Sequence, residues 1–219
     1  RAEAVQTEEA TKTALILPFF RVLGYDTSDP REVVPEFTAD FGVKKADRVD
    51  FAILDGGRPI MVIECKPATN KLDDEHVAQL FAYFAATETR FGVLTNGIVY
   101  RWYSDLDRPN QMDRRPFLEA DLLEIDDGLI EELRRFSKSS FDLKGNIEAA
   151  AQLKYAKEIK RILSEELREP SDNFVRLFAS QIYSGKMTQR VRDQFAHRVR
   201  EAFNQFINDR VDRVVDRAK

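Results

Sequence analysis

Between Ala14 and Leu23 apolar side chains recur every three residues (Ala14, Leu17, Phe20, Leu23), behind Thr7-Glu8-Glu9 and ahead of Gly24. That period predicts a helix closed by a glycine, and Pro18 inside it predicts a kink. From Val33 the pattern shortens to strand-like runs over 33–41, 48–54 and 59–66, the last two joined by Asp55-Gly56-Gly57-Arg58 as a hairpin. Asp73 or Asp74 is positioned to cap a second helix reaching about Ala86, with Val77, Leu80, Phe81 and Phe84 on its apolar face. Runs 91–95 and 98–103 flank Asn96-Gly97, which predicts a type I′ turn because both residues tolerate positive φ. Helix, three strands, helix and two strands together predict a mixed sheet with helices packed on it.

After a loop over 104–116 the strand signal fades, and helical patterns follow at 129–136, 147–167, 172–183 and from 188 onward. In the last of these Val191, Phe195, Val199, Ala202, Phe203, Phe206, Val211 and Val214 form one apolar stripe. Such a stripe must bury against something, either a bundle face within the chain or a partner surface. The division expected is a catalytic domain over 1–126 and a helical domain over 127–219.

Charge sharpens that division. Residues 1–126 hold 15 Lys/Arg against 23 Asp/Glu, a net of −8, whereas 127–219 hold 19 against 15, a net of +4. The basic half is the better phosphate contact, although ordinary solvated helix faces explain many of the same charges. Cys65 is the only cysteine, which excludes an intrachain disulfide and makes a reducing, cytoplasmic setting the expectation. The apolar run 14–20 falls well short of the roughly 20 residues that span a bilayer, so no membrane partner is expected. The first residue is Arg1 and no leader pattern follows it, so a trimmed or absent true start is expected.

The candidate chemistry lies in the hairpin. A turn centred on Gly57 gives cross-strand partners whose numbers sum to about 114, placing Asp50 opposite Glu64 and Arg48 opposite Lys66. Alternation then brings Asp50, Glu64 and Lys66 to one face. Two opposed carboxylates repel unless compensated, and a hard divalent cation such as Mg²⁺ compensates them well. Lys66 would stabilise charge developing on a phosphate. The competing reading is an ordinary ion-pair ladder on a half-exposed strand.

Val49-Asp50, a turn, and Ile63-Glu64-Cys65-Lys66 resemble the PD-(D/E)XK nuclease motif. Over about residues 7–126 the chain is similar to the N-terminal nuclease domain of type I restriction enzyme R subunits and their small stand-alone relatives. Supporting pieces are Thr7 to Lys12, Leu23-Gly24-Tyr25-Asp26, Gln79 to Tyr83 and Leu94 to Gly97. The resemblance implies a restriction-endonuclease-like α/β fold, here followed by an all-α region. It implies Asp50, Glu64 and the main-chain carbonyl of Cys65 as ligands of Mg²⁺, with Mn²⁺ as a substitute, and Lys66 as catalytic lysine. Glu9 matches the first-helix acid that often completes the site, with Glu8 as the alternate. Gln79 and Tyr83 match a QxxxY extension that lines the active site or contacts DNA. Val49 stands where the motif's name has Pro.

The expected activity is metal-dependent cleavage of DNA in restriction or anti-phage defence, with a homodimer through the C-terminal helices as one candidate assembly. An inactive nuclease-fold binding module and an RNA-cleaving enzyme are the alternatives. Gly185-Lys186-Met187 does not complete a phosphate-binding loop, so translocation would need a motor or specificity subunit in another chain. One Cys and two His exclude a structural zinc site of the usual kind.

Overall fold

The computed structural model describes residues 4–38, 48–87 and 89–217, and side chains as far as residue 213. Two compact units emerge, Arg1–Lys154 and Tyr155–Lys219, so the helices immediately after residue 126 belong with the sheet.

In the first unit, Thr7 caps α1 (Glu8–Thr11) by accepting from the Ala10 N–H. The helix then widens into a π turn over Lys12–Ile16, where the Leu17 N–H donates to the Lys12 carbonyl, before α2 (Leu17–Val22). Pro18 lacks an N–H and crowds the carbonyl four residues back, so regular α-hydrogen bonding is disfavoured just where the widened turn lies. The expected kink thus takes the form of a π turn within a continuing helix.

Six strands form one sheet in sequential order: β1 (Val33–Phe37), β2 (Val49–Asp55), β3 (Arg58–Cys65), β4 (Phe91–Thr95), β5 (Val99–Ser104) and β6 (Leu118–Asp121). All neighbours are antiparallel except β3 and β4, which are joined across α3 (Asp74–Ala86) and run parallel. The fold is therefore α/β, a mixed sheet with flanking helices and then an all-helical region. The far end of the expected first strand, residues 39–41, lies outside the described residues.

Strand β6 escaped the sequence pattern because Leu-Glu-Ala-Asp favours helix locally. It is strand because its backbone pairs with β5, with Leu118 and Ala120 inward and Glu119 outward. One face of the sheet packs Ile53, Ile63, Val93 and Trp102 against Ile16 and Phe20 of the first helix and Leu133 of α4 (Asp127–Arg134). The other packs Ala52, Val62 and Leu94 against Leu80 and Phe84 of α3.

The turn between β4 and β5 departs from expectation. Gly97 has φ 79°, while Asn96 is absent from the positive-φ residues. The partners Thr95 and Tyr100 bracket four residues, with Gly97 and Ile98 at the centre. Positive φ at the first central residue alone fits a II′ rather than a I′ turn. The Asn96 side chain is used differently: Oδ1 accepts from the Ile98 and Val99 N–H groups.

The second unit contains the end of α5 (Leu143–Arg168), α6 (Asp172–Ile182) and α7 (Gln189–Arg217). Helices α6 and α7 form a hairpin around buried Val175, Ala179 and Phe195, with the Phe203 ring 5.4 Å from those of Phe174 and Phe178. The expected stripe therefore splits. Its first part, through Phe203, meets α6; Phe206 and Val211 remain exposed. The side chain of Val214 lies outside those described. Among the described residues, no helix is long and apolar enough to cross a membrane.

Candidate active site

The register of the β2–β3 hairpin decides which residues can meet. Gly56 (φ 55°) and Gly57 (φ 81°) form the two-residue turn, so Asp55 pairs with Arg58 and Leu54 with Pro59. Continued unchanged, that register would set Asp50 opposite Ile63 and send its carboxylate to the face away from Glu64. A bulge between Leu54 and Ile53 absorbs one residue of β3, giving Ile53–Met61, Ala52–Val62 and Phe51–Ile63. The next pair in that register is Asp50 and Glu64, on the face of Ala52 and Val62.

Here side chains take over from the ladder. Asp50 Oδ2 accepts the Cys65 N–H at 2.6 Å, which orients the carboxylate against the end of β3. Asp50 Oδ1 lies 2.6 Å from Lys12 Nζ. Lys66, just past β3, is anchored by its own N–H to the Thr95 carbonyl (2.8 Å). Its ammonium donates to Glu64 Oε1 and Gln79 Oε1, both at 2.7 Å. The site thus sits at the carboxyl ends of the parallel pair β3 and β4, where open α/β sheets place their ligands.

Glu64 is 5% and Lys66 8% exposed, an unusual depth for charged residues. Burial drives the Glu64 carboxyl up to about 7; the charges of Asp50 and Glu8 push the same way, and the Lys66 ammonium opposes them. Cys65 points to the other face and joins the core beneath the first helix. Burial raises its thiol well above the usual range, so its backbone and not its sulfur is available to the site.

On the first helix, the charge of Glu8 is felt at Glu64. The Glu9 side chain is 82% exposed and bonded to Lys12 at 2.8 Å; that of Glu8 is 37% exposed and lies 3.0 Å from the same ammonium. Lys12 is the residue that the sequence reading left without a role. Burial opposes its charge, but Asp50, Glu9 and Glu8 together hold its pKa above the usual lysine range. A lysine one turn beyond two glutamates on a helix is too common to signal this; its proximity to Asp50 is a product of tertiary packing.

Gln79 reaches the site through Lys66, and Tyr83, one turn further along α3, packs half-buried against the core that contains Leu80 and Phe84. His76 belongs to the start of α3: Asp73 accepts from its N–H and that of Glu75, while the His76 ring reaches back to the Asp73 N–H. The loop between β3 and α3 is tied down by Thr11 Oγ1, which accepts the Ala68 N–H at 3.0 Å, and by Asn96 Nδ2, which donates to the Asn70 carbonyl at 2.8 Å.

Among the described residues no three His, Cys, Asp or Glu side chains converge as a metal cage. The donors present suit a metal that needs none. Mg²⁺ binds through one or two carboxylates and keeps the remaining positions for water and phosphate. Asp50 with one oxygen pinned by backbone, and Glu64 buried with only partial compensation by Lys66, are hard oxygen donors for such an ion.

No curated protein and no solved structure matches the chain. One family model does match, over residues 5–111, the stretch that holds α1, the hairpin, α3 and the β4–β5 turn. Over these residues the chain is similar to the family described as type I restriction enzyme R protein N terminus.

Proposed function

We propose that the sheet unit hydrolyses phosphodiester bonds in DNA with the help of Mg²⁺, held by Asp50, Glu64 and the Cys65 carbonyl, with Mn²⁺ able to replace it. The observation that carries this reading is the buried Lys66–Glu64 contact beside Asp50. A structural ion pair on a strand needs no second carboxylate across from it, and burying Glu64 and Lys66 with Asp50 close by is unfavourable for stability alone.

When bound, the metal would supply a Lewis acid for the phosphoryl oxygen and lower the pKa of water. The protein's part is positioning and charge. The Cys65 N–H fixes the Asp50 carboxylate, and Gln79 holds the Lys66 ammonium where negative charge grows on the phosphate in the transition state. Glu8 is the first-helix acid favoured for outer support of the site because its charge reaches Glu64; Glu9 is placed outward. Tyr83, half-buried one turn beyond Gln79 on α3, is proposed as a DNA or substrate contact. Residues 127–219 are proposed to serve assembly or DNA contact, and translocation or sequence choice is assigned to separate subunits.

The test is digestion of duplex DNA, single-stranded DNA and RNA with Mg²⁺, Mn²⁺ or a chelator. Metal-dependent DNA cleavage, lost in Glu64→Gln and Lys66→Met at unchanged fold, is the expected result. Cleavage that survives both substitutions would remove the site from the reaction. RNA cleavage alone would redirect the substrate, and metal binding without cleavage would favour a binding module.

A further inference from the structure

We infer that Lys12 is a stand-in cation: its ammonium occupies the metal-facing side of Asp50 in the metal-free protein and is displaced when a divalent cation binds. This rests on the metal reading of the same site. Lys12 Nζ touches three carboxylates, Asp50 at 2.6 Å, Glu9 at 2.8 Å and Glu8 at 3.0 Å. An ammonium has three donors, and here all three are engaged. Its side chain is only 12% exposed, so the contacts belong to the interior of the site.

The alternative neutraliser of Asp50 would be Lys66, but Lys66 is committed to Glu64 and Gln79. Asp50 and Glu64 are therefore each matched by a different lysine. Lys66 is the residue immediately after the strand that holds Glu64. Lys12 arrives from the first helix, at the point where α1 opens into the π turn and the Leu17 N–H bonds to the Lys12 carbonyl. π turns recur at functional positions because they re-aim a side chain that a regular helix would direct elsewhere.

Asp50 Oδ2 is occupied by the Cys65 N–H, so Oδ1, where Lys12 sits, is the oxygen left facing the site. A metal on Oδ1 at the roughly 2.0–2.1 Å of a Mg²⁺–oxygen bond would lie within a few ångströms of the ammonium, as a strongly repelling like charge. Lys12 has somewhere to go. Glu9, three residues back on the same helix and 82% exposed, lets the ammonium swing toward solvent without losing its pairing. Glu9 then retains a purpose as a partner for the displaced lysine instead of as a metal ligand.

The experiment measures Mg²⁺ and Mn²⁺ binding to the full chain by calorimetry, in the wild type, Lys12→Met and Glu64→Gln, without nucleic acid. Removing the competitor should tighten metal binding by about tenfold or more, and the metal-free Lys12→Met protein should melt lower while gaining more from added metal. Equal or weaker binding by Lys12→Met, with the wild type binding normally, overturns the inference and leaves the metal reading standing. No binding by either protein overturns the metal reading itself. A second measurement uses the wild type alone, so that a poorly folding variant cannot obscure the answer. Acetylation of Lys12 by an N-hydroxysuccinimide ester, followed by mass spectrometry, should rise several-fold on adding Mg²⁺; protection unchanged by saturating metal would show that the ammonium stays on Asp50.

Discussion

Lys66 and Gln79 are thirteen residues apart and on different elements, yet the lysine ammonium donates to the glutamine Oε1 at 2.7 Å. The same ammonium holds Glu64, so Gln79 determines where along its arc the lysine points. Gln79→Leu is expected to lower kcat by about tenfold to a hundredfold with little change in KM, the scale set by small misplacement of a reacting group. Gln79→Glu keeps the acceptor and should recover more activity than Gln79→Leu. Equal losses in both variants, or a loss confined to KM, would make Gln79 a substrate contact instead of a positioning residue.

Asp50 and Glu64 should respond oppositely to neutralisation in the metal-free protein. Asp50 accepts from a backbone N–H and from Lys12, so Asp50→Ala removes two charge-assisted bonds and leaves Lys12 short of a partner. A loss of about 2–4 kcal/mol is expected. Chemical denaturation in chelator at pH 8 measures it, and a neutral Asp50→Ala would mean that these bonds contribute little.

For Glu64 the carboxyl is raised from 4.5 to about 7, so the folded state binds its proton more tightly than the unfolded state does. Its contribution to stability is therefore greatest below the unfolded value and declines as pH rises through the window from about 4.5 to 7, by up to about 3 kcal/mol. Glu64→Gln abolishes that decline: it should match the wild type near pH 4.5 and exceed it at pH 8. Parallel stability curves for the two proteins in chelator would contradict this.

What the sequence disclosed of this site and what it hid have separable causes. Asp50, Glu64 and Lys66 were legible because strand alternation and a glycine turn are local. Even so, the arithmetic placing Asp50 opposite Glu64 holds only through a bulge beside Ile53, which no local signal announces. Lys12 and its contact with Asp50 depend on how the first helix crosses the sheet, and its neighbours Glu8 and Glu9 look like ordinary favourable charge near a helix start. The same gap explains β6. Its Leu118, Glu119 and Ala120 prefer helix, and only an available sheet edge makes the segment a strand.

Gly97 tests the packing of the first helix on the sheet. A Cβ there would lie 2.8 Å from the Leu15 Cβ and 3.1 Å from Thr11 Cγ2, at a φ of 79° that disfavours any L side chain. Gly97→Ala is expected to cost about 2–4 kcal/mol. Because Thr11 also holds the loop after Lys66, the melt should be accompanied by weaker metal binding. A substitution that leaves both unchanged would show that the helix can shift without disturbing the site.

The last expectation concerns the second unit, where large apolar side chains remain in water after α6 and α7 have paired. Phe206 is 57% and Val211 54% exposed on α7, and Tyr155 and Ile159 are 58% and 57% exposed on α5. A buried position such as Phe195, at 8%, should cost about 3–5 kcal/mol when cut to Ala. Phe206→Glu and Val211→Glu should cost the isolated chain almost nothing, because surface changes rarely exceed about 0.5 kcal/mol. If this surface pairs two copies, the same double substitution will convert a dimer to a monomer in sedimentation at micromolar concentration while the monomer's fold persists. Pairing would bring two sheet units to one duplex, turning single nicks into double-strand breaks. The arginines of α7, Arg190, Arg192, Arg198 and Arg200 among them, would add a salt-sensitive contribution to DNA affinity. A wild-type chain that sediments as a monomer, and a double variant that cuts both strands as well as wild type does, would together mean that the exposed stripe serves neither assembly nor cleavage.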